Sequence, residues 1–358
     1  MTQLESRADL RLSHAPAYFD RIRDRLESFD SVSSRNGDAV SFRFAFGEAS
    51  FEMPEGAMIL TARSPHVEGL ARLKDLMATA VEFYAREEKP QLVWQGDLAG
   101  AGSLAQFRLM RVEGVRQLTP HMRRVQLAGP DLGRFATFGG MHIRMLFPTE
   151  SIPQPVWPVR GPNGLVEWPD ETKRPPARVY TIRALDVAAG TMDVDMLIHD
   201  GENVGSNWAS KADVDDVVGI IGPVGRPVRA ADWYVLGADE TGLPAIARML
   251  ETFPAATRGT AFIEVVDAGE EQSIDNKTQI EIRWLHRHHA AAGEGTALAD
   301  AVLTVEWPSE GRCFGWFGAE SESARLVREH WRVARGLGRD QTLAAAYWTR
   351  GAAGTMAG

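Results

Sequence analysis

The stretch Arg178-Val179-Tyr180-Thr181-Ile182-Arg183 predicts a β-strand that carries an aromatic, a hydroxyl and two cationic side chains. Its β-branched and aromatic residues favour an extended backbone, and side-chain alternation sets Tyr180 and Ile182 on one face. The tyrosine offers a flat apolar surface with a polar tip, Thr181 a hydroxyl, and the two arginines planar cations that suit phosphate. These are the groups that a flavin nucleotide requires. An ordinary barrel strand with two solvated arginines explains the same residues equally well.

The segments after this stretch come in an order that favours nucleotide binding. A strand-like run, 192–199, leads through a loop to Gly205-Ser206 and a short helical segment. Free backbone N–H groups at such a helix start stabilise an anion such as pyrophosphate, with Ser206 or Asn207 as the predicted cap. Further on, the turn Gly222-Pro223-Val224-Gly225 follows a strand, and Asp239-Glu240-Thr241 leads from the next strand into a helix. The ordered set is more specific than any single piece.

The chain from Leu104 to Trp348 resembles the siderophore-interacting protein family, which comprises ferric-siderophore reductases among the ferredoxin-reductase-like flavoproteins. Besides the motifs quoted above, the resemblance rests on His199, Trp208-Ala209, Leu243-Pro244-Ala245-Ile246 and Tyr347-Trp348. There are two departures from the family pattern. Gly242 stands where the family commonly has alanine, and the segment after His199 is longer and more acidic than usual.

This resemblance implies roles for a set of side chains. It assigns FAD binding to Arg178, Tyr180, Thr181, Arg183, His199, Gly205, Ser206, Trp208 and Ala209. It places Thr181 at the flavin and Thr241 near the nicotinamide, as the two residues closest to the chemistry. Trp348 is expected either to cover the flavin or to be a core residue of the last strand. The basic residues Lys173, Arg174 and Arg350 are the candidates for binding the ferric chelate.

Composition narrows the classes of partner. The formal charge of -9 weighs against nucleic acid or an anionic membrane as a ligand. The single cysteine, Cys313, can neither form an intrachain disulfide nor hold an iron–sulfur cluster or a cysteine zinc site by itself. The N-terminal residues contain no apolar signal region, and no run approaches the length of a membrane span. We therefore expect a cytoplasmic protein whose electrons are carried by an organic cofactor, with no metal site.

Three domains are predicted. Residues 1–96 combine helical and alternating patterns into an α+β accessory domain, which resembles a small domain of unknown function found alone or ahead of siderophore reductases. Residues 104–228 contain six short strand-like runs and predict an antiparallel β-barrel that binds FAD. Residues 229–358 alternate strands and helices, which predicts a parallel sheet of ferredoxin-reductase type that binds NAD(P)H. A long proline-rich loop, 148–176, lies inside the barrel segment and ends in basic residues beside the flavin strand.

The nicotinamide cofactor is predicted from the carboxyl ends of the parallel strands, where ligands of such sheets bind. Thr241 is the expected helix cap there, with Pro244 in the first turn. Asp267 follows the second strand, with Glu270 and Glu271 just beyond. Acidic residues at this place suit a ribose hydroxyl and disfavour an additional phosphate, so NADH is favoured over NADPH.

Three functions remain compatible with the sequence. The first is a reductase that passes electrons from NAD(P)H through FAD to Fe(III) in a siderophore and releases Fe(II). The second is a reductase of the same fold that exchanges electrons with a ferredoxin-like protein. The third is a binding module that has kept the fold without the flavin. The histidine-rich run His286-Arg287-His288-His289 is expected to be a solvated loop rather than a metal site, because adjacent residues do not converge on one ion.

Overall fold

The computed structural model describes residues 3–29, 31–137, 140–199, 201 and 203–352. The chain divides into two compact units. One contains Met1–Phe107 and Glu150–Pro175, and the other contains Arg108–Thr149 and Pro176–Gly358. The loop segment Glu150–Pro175 therefore belongs to the N-terminal unit, whereas the sequence prediction placed it within the barrel domain. None of the helices in the described ranges is long and apolar enough to cross a membrane.

The strands are β1 Leu4–Arg11, β2 Val32–Asn36, β3 Ala39–Phe44, β4 Gly47–Glu52, β5 Ala57–Ser64, β6 Gln95–Gly96, β7 Phe107–Thr119, β8 Met122–Ala128, β9 His142–Leu146, β10 Val159–Arg160, β11 Val166–Glu167, β12 Ala177–Thr181, β13 Ala184–Asp186, β14 Thr191–Leu197, β15 Val217–Val224, β16 Trp233–Ala238, β17 Arg258–Val265, β18 Gln279–His286, β19 Cys313–Glu320 and β20 Thr342–Trp348. The α-helices are α1 Ala15–Glu27, α2 Val67–Tyr84, α3 Gly133–Thr137, α4 Val204–Lys211, α5 Leu243–Thr252, α6 Ala297–Leu303 and α7 Ser321–Glu329.

The N-terminal unit is an antiparallel sheet with two packed helices. Its strand order is β2-β3-β4-β5-β1-β6. Helix α1 buries Phe19, Ile22 and Leu26 at helical spacing, and these side chains meet Phe42 and Phe51 from the sheet in one core. The segment Glu150–Pro175 adds the short hairpin β10–β11 to this unit.

The second unit begins with an antiparallel sheet of order β12-β9-β15-β7-β8-β14-β13. Its two outer strands, β12 and β13, are joined directly through Ile182 and Arg183. The Ile182 amide donates to the Met141 carbonyl at 2.7 Å, and the Arg183 amide donates to the Asp193 carbonyl at 2.8 Å. One bent segment thus reaches both sides of the sheet, which gives the domain a barrel-like form around a core that includes Ile182.

The second unit ends with a five-stranded parallel sheet of order β18-β17-β16-β19-β20, as the alternation of strands and helices predicts. Its central strand β16 is almost wholly buried, and the helix α5 that follows buries Leu243, Ile246 and Leu250. Because all strands run in the same direction, the segments after β16, β17, β19 and β20 emerge at one edge. That edge carries the residues discussed next.

Candidate functional site

Strand β12 places the predicted flavin-binding side chains opposite β9. Thr181 pairs with His142, and Tyr180 pairs with Ile143. The Tyr180 ring packs edge-on against Phe147, with ring centroids 6.1 Å apart, and its hydroxyl lies over Gly205. A Cβ at Gly205 would overlap that hydroxyl, so only glycine fits beneath it. Burial raises the pKa of Tyr180.

Two polar groups on β12 retain hydrogen-bonding capacity that the protein does not use. Thr181 is 3% exposed, and its Oγ1 is buried with no hydrogen-bond partner among the described residues. The Arg178 guanidinium donates only to the carbonyl of the adjacent Ala177, at 2.7 Å, and makes no ion pair within the described ranges. A buried hydroxyl without a partner costs free energy unless a ligand satisfies it. The strand is therefore arranged to receive a polar ligand.

Arg183 has a different environment, although it was predicted for the same ligand. Its guanidinium binds Glu251 of α5 through Nη1 and Nη2, at 2.6 and 2.5 Å, and its Nε lies 3.6 Å from Asp195. Asp195 is also held by Arg124, at 2.6 and 2.8 Å. Arg183 is 8% exposed. Its charge is neutralised within the protein, so its assignment to the flavin stays a prediction.

Helix α4 begins near Tyr180, but its cap differs from the prediction. The cap is Asn203, whose side chain accepts from the Gly205 amide at 3.1 Å, and not Ser206 or Asn207. Ser206 lies inside the first turn instead. Its Oγ accepts from the His199 amide at 2.9 Å and donates to the His199 carbonyl at 3.0 Å. Ser206 thereby connects the helix start to the residue after β14. Asparagine and serine are both good caps, so their position relative to the helix decides which of them is the cap.

The remaining predicted residues of α4 support the aromatic wall behind Tyr180. The Trp208 ring lies 5.3 Å from that of Phe147, which in turn packs against Tyr180. Ala209 is fully buried in the barrel core. The exposed side chain of His199 follows β14. The structure thus places Tyr180 at the start of α4, with Arg178 and Thr181 on the same strand.

A hydrogen bond links β9 to the last strand of the parallel sheet. His142 Nε2 lies 2.5 Å from the Tyr347 hydroxyl, and the two rings meet edge-on at 5.5 Å. Burial, and secondarily the nearby Arg248 cation, lowers the pKa of His142 to about 4. Burial also raises the pKa of Tyr347. His142 is therefore a neutral imidazole at physiological pH, and it joins the flavin strand's partner to the carboxyl edge of the sheet.

At that edge, Asp239 holds Thr241 and Trp348 together. Its Oδ1 accepts from the Thr241 amide and hydroxyl, at 2.9 and 2.5 Å, and its Oδ2 accepts from the Trp348 indole at 2.7 Å. Burial raises the pKa of Asp239 despite these hydrogen bonds. The cap of α5 is Gly242, so the prediction that Thr241 caps this helix was wrong, while Pro244 does lie in the first turn. Thr241 is oriented by Asp239 instead.

The acidic residues after β17 are largely engaged. Asp267 caps a short 3-10 helix through the Gly269 amide at 2.8 Å, but its side chain is exposed. Glu270 is 3% exposed and accepts from Thr119 Oγ1 at 2.5 Å and from the His121 amide at 3.0 Å. Glu270 therefore joins the β7–β8 turn to the parallel sheet. Of the predicted acids, Glu270 is engaged through both carboxylate oxygens, whereas Asp267 and Glu271 are each held through one.

The histidine-rich run contains an arginine, Arg287, that pairs with a buried carboxylate. Arg287 Nη2 lies 2.6 Å from Glu240, and its Nη1 lies 4.0 Å from Glu264. Burial raises the pKa of Glu264 to about 7, with the Arg287 cation opposing that shift. His286 Nε2 lies 2.8 Å from Glu271. Within the described ranges, no histidine, cysteine or carboxylate group is arranged to hold a metal ion.

The three candidates for chelate binding belong to different units. Lys173 and Arg174 lie in Glu150–Pro175 of the N-terminal unit, where the Arg174 guanidinium covers the Trp168 ring at 4.6 Å and pairs with Glu171 at 3.2 Å. Arg350 follows β20, and its Nη1 lies 3.4 Å from Glu294. All three side chains thus have the character of surface cations, and their role stays a prediction.

Two family models match consecutive parts of the chain. The siderophore-interacting FAD-binding domain matches residues 111–227, and the siderophore-interacting protein model matches residues 231–351. Ferric vibriobactin reductase ViuB of Vibrio cholerae is 30% identical over 251 residues, which are 68% of this chain and 90% of that protein. The chain belongs to the siderophore-interacting protein family. It has a barrel-like FAD-binding domain followed by a parallel-sheet domain.

Further relatives agree with this family. The NADPH-dependent ferric-chelate reductase of Escherichia coli is 29% identical over 254 residues, which are 68% of this chain and 92% of that protein. The crystal structure of a siderophore utilization protein from T. fusca superposes with a TM-score of 0.59 at 35% identity. That comparison covers 70% of this chain and 95% of the other.

The departure at Gly242 has a steric cause in this member of the family. A Cβ at Gly242 would overlap the Gly318 carbonyl of β19 and lie 2.9 Å from the Ala238 Cβ. An alanine at position 242 therefore does not fit this backbone. Close packing of the α5 start against β19 takes the space instead.

Sequence reasoning missed three residues that organise the site. His142 and Asp239 were not named as functional, and Tyr347 was quoted only as part of a closing motif. The signal for Asp239 was its place directly after β16, at the ligand edge of a parallel sheet. His142 gave no comparable signal, because its partner Tyr347 lies 205 positions away in the sequence.

The described residues fit a flavin nucleotide. The unpaired Thr181 hydroxyl and the Arg178 guanidinium, which makes one hydrogen bond to the adjacent carbonyl, offer donors on the strand that carries Tyr180. Gly205 keeps the start of α4 free of a side chain beneath the Tyr180 hydroxyl. A donor hydroxyl, a cation and an aromatic surface beside a helix start are suited to a ring system that carries a pyrophosphate.

Proposed function

We propose that this protein is a FAD-dependent ferric-siderophore reductase, which uses NAD(P)H to reduce chelated Fe(III) and releases Fe(II) for cellular use. The observation that carries the proposal is the unsatisfied Thr181 hydroxyl on β12, where Thr181 pairs with His142 of β9. The printed names of relatives that match over most of their length support it. Iron is the substrate here, so the protein needs no resident metal.

The cofactor-binding side chains that we propose follow from this arrangement. Arg178 neutralises the phosphate groups, Tyr180 covers the flavin edge, and Thr181 donates or accepts at the ring. His199, Gly205, Ser206, Trp208 and Ala209 shape the start of α4 and the wall behind it. Arg183 holds α5 against the strand through Glu251, and its direct contact with FAD remains a prediction.

The sheet edge has the role of presenting the nicotinamide. Asp239 orients Thr241 and Trp348 through three hydrogen bonds, and His142 holds the preceding Tyr347. We propose that Thr241 lies beside the nicotinamide and that Trp348 limits access of water to the flavin. The chemistry that FAD supplies when bound is acceptance of a hydride and delivery of single electrons. The protein aligns the donors and acceptors, so no nucleophile or general base is required.

The donor is NADH or NADPH. We favour NADH because the free carboxylate oxygen of Asp267 suits a ribose hydroxyl and repels an added phosphate. The E. coli relative is named NADPH-dependent, so the two donors should be compared directly. We propose Lys173 and Arg174 of the N-terminal unit and, separately, Arg350 of the second unit as candidate cations for an anionic ferric chelate.

We also propose the finer organisation of the chain. The domains are 1–96, an α+β accessory domain that the segment Glu150–Pro175 joins, 104–228 apart from that segment, a closed six-stranded barrel, and 229–358, the nucleotide-binding domain. Barrel closure follows if β12 and β13 are counted as one bent strand that pairs with both β9 and β14. The reaction is placed in the cytoplasm, where the nicotinamide donors are available.

The experiment starts from the purified full chain loaded with FAD. Under anaerobic conditions, NADH or NADPH should bleach the visible flavin absorption. Addition of a ferric siderophore and a ferrous trap should then restore it and develop the colour of the ferrous complex. A flavin that is reduced only by a reduced ferredoxin, and not by either nicotinamide, would contradict the proposed donor. A protein that takes up no FAD would contradict the proposal as a whole.

A further inference from the structure

The segment Glu150–Pro175 joins the two strands that carry the candidate flavin site. Strands β9 and β12 are antiparallel neighbours, and the Phe147 amide donates to the Pro176 carbonyl at 3.0 Å as the last bond between them. The segment is therefore the loop of the hairpin that presents His142, Tyr180 and Thr181. If this long loop were flexible, bringing β9 and β12 together would cost conformational entropy.

The loop does not remain open, because it folds onto the N-terminal domain. Arg160 and Gly102 exchange both backbone hydrogen bonds, at 2.8 and 2.9 Å, and the Arg160 guanidinium donates to the Leu98 carbonyl. Leu165 packs against the apolar core of the domain. Arg160 is 8% exposed, so this attachment is a buried one.

The centre of the attachment is Trp94, which is 2% exposed. Its indole donates to the Asn163 carbonyl at 2.9 Å, and the Asn163 side chain donates to Glu82 of α2 at 3.0 Å. Gly164 has a φ of +86° and lies against the indole, so that a Cβ there would be 3.0 Å from Trp94 Nε1. Glycine therefore stands at position 164, where the Trp94 indole leaves no space for a side chain.

Lys74 completes the anchor from within the domain. It is 1% exposed, and its ammonium lies 5.3 Å from the centre of the Trp94 ring. The same ammonium donates to the carbonyls of Leu98 and Asp97, at 2.6 and 3.3 Å. A buried lysine is rare and expensive unless it is paired in this way. Lys74 fixes residues 97–98, to which the Arg160 guanidinium donates, and it also contacts the Trp94 ring. It therefore supports both points at which the loop is attached.

We propose that the N-terminal domain positions the flavin-binding hairpin, by anchoring its loop Glu150–Pro175 through Trp94, Lys74 and the Arg160–Gly102 pair. The proposal rests on the proposed function, because it assigns the FAD site to β9 and β12. Anchoring removes conformational freedom of the loop before the cofactor arrives, so that FAD binds a preorganised hairpin. Trp94 and Lys74 are thus positioning residues that touch neither FAD nor substrate. The accessory domain is a cofactor-retention device for the reductase.

The test compares Gly164→Val with Gly37→Val in the full chain. Gly164→Val forces a side chain into the Trp94 indole. Gly37 also has a positive φ, of +62°, but a Cβ there would meet nothing within 4 Å, so it controls for backbone strain alone. We expect the FAD dissociation constant of Gly164→Val to rise by about tenfold, with that of Gly37→Val unchanged. Hydrogen exchange of the Phe147 amide should accelerate several-fold in the first variant only.

Two further readouts separate positioning from general damage. At saturating FAD, the rate of ferric-chelate reduction by Gly164→Val should return to the wild-type rate, because no group at the reacting centre has changed. The milder Glu82→Ala removes the exposed acceptor of the Asn163 side chain, and it should raise the FAD dissociation constant by about twofold. This variant decides the matter if Gly164→Val fails to fold.

The outcomes are distinguishable from those of the proposed function. If the wild type binds FAD and reduces a ferric chelate, while both anchor variants keep wild-type FAD affinity and wild-type exchange at Phe147, the inference is overturned alone. If the wild type binds no FAD, the proposed function falls and this inference with it.

Discussion

Two arginines on one strand segment, Arg178 and Arg183, show how the structure separates binding groups from structural ones. Both were expected to bind the same nucleotide. Arg183 is buried and surrounded by Asp195 and Glu251, whereas Arg178 makes no ion pair within the described ranges. Thr181 between them has a buried hydroxyl without a partner. The charge of Arg183 is neutralised within the protein, whereas the Thr181 hydroxyl is left for a ligand to satisfy.

The largest expected effect is on stability, from Arg183→Met. Removal of this guanidinium leaves the carboxylate of Glu251 without its partner and takes from the buried Asp195 one of its two cations, which should lower the free energy of unfolding by about 3 kcal/mol. Urea unfolding of the flavin-free protein measures it. Arg178→Met is the matched control, and it should stay within about 0.5 kcal/mol of wild type. Equal losses in the two variants would remove the distinction.

A second effect should appear as pH is lowered. The pKa of His142 is about 4 in the folded protein, against roughly 6.5 in an unfolded chain. Between these values the unfolded chain binds more protons, so the stability of the fold is lost progressively as pH falls from 6.5 to 4.

His142→Gln should flatten this pH dependence by roughly 2 kcal/mol, since glutamine does not titrate. Thermal unfolding of the flavin-free variant and wild type across this pH range is the measurement. The groups that face the imidazole are the Tyr347 hydroxyl and the Arg248 cation, and neither titrates in this range. A profile for His142→Gln as steep as that of wild type would assign the acid sensitivity to other groups.

A substitution of Arg178 should change the affinity for FAD rather than the stability. Arg178→Ala should raise the FAD dissociation constant by roughly tenfold or more, because a charge-assisted contact with phosphate is lost. Fluorescence titration of flavin-free protein is suitable. If the loss depends on the phosphates, riboflavin, which has none, should bind wild type and variant alike. Equal weakening for riboflavin would place Arg178 at the ring instead.

The smallest effect on stability is expected from Thr181→Val. The substitution keeps the shape and removes the unpaired buried hydroxyl, so the free energy of unfolding should remain unchanged or rise by about 1 kcal/mol. FAD affinity or the rate of flavin reduction should nevertheless fall. Loss of stability without loss of flavin binding would show that the hydroxyl has a structural partner.

Much of this architecture was predictable from local pattern. The β-branched run in β12 and the buried strands of the parallel sheet follow from propensity and periodicity, which act within a few residues. The order of motifs from Arg178 to Trp348 indicated the family. Cap identity was less accessible, since Asn203 and Ser206 are equally good caps and only the backbone path chose the former.

The fate of individual polar residues was not predictable for a physical reason. Arg178 and Arg183 have the same side chain on the same segment, and they differ because Glu251 is brought to one of them from 68 positions away. The loop Glu150–Pro175 shows no periodicity, so its docking on Trp94 left no trace in the pattern. Both outcomes depend on long-range contacts, which sequence spacing does not encode.

The measurement that bears most directly on the central claim is a titration of flavin-free protein with FAD, followed through the visible spectrum. We expect saturable binding in the wild type, weakened in Arg178→Ala and also in Thr181→Val although that variant is fully folded. Absence of saturable binding in the wild type, or wild-type affinity in both variants, would contradict the assignment of the cofactor to β12.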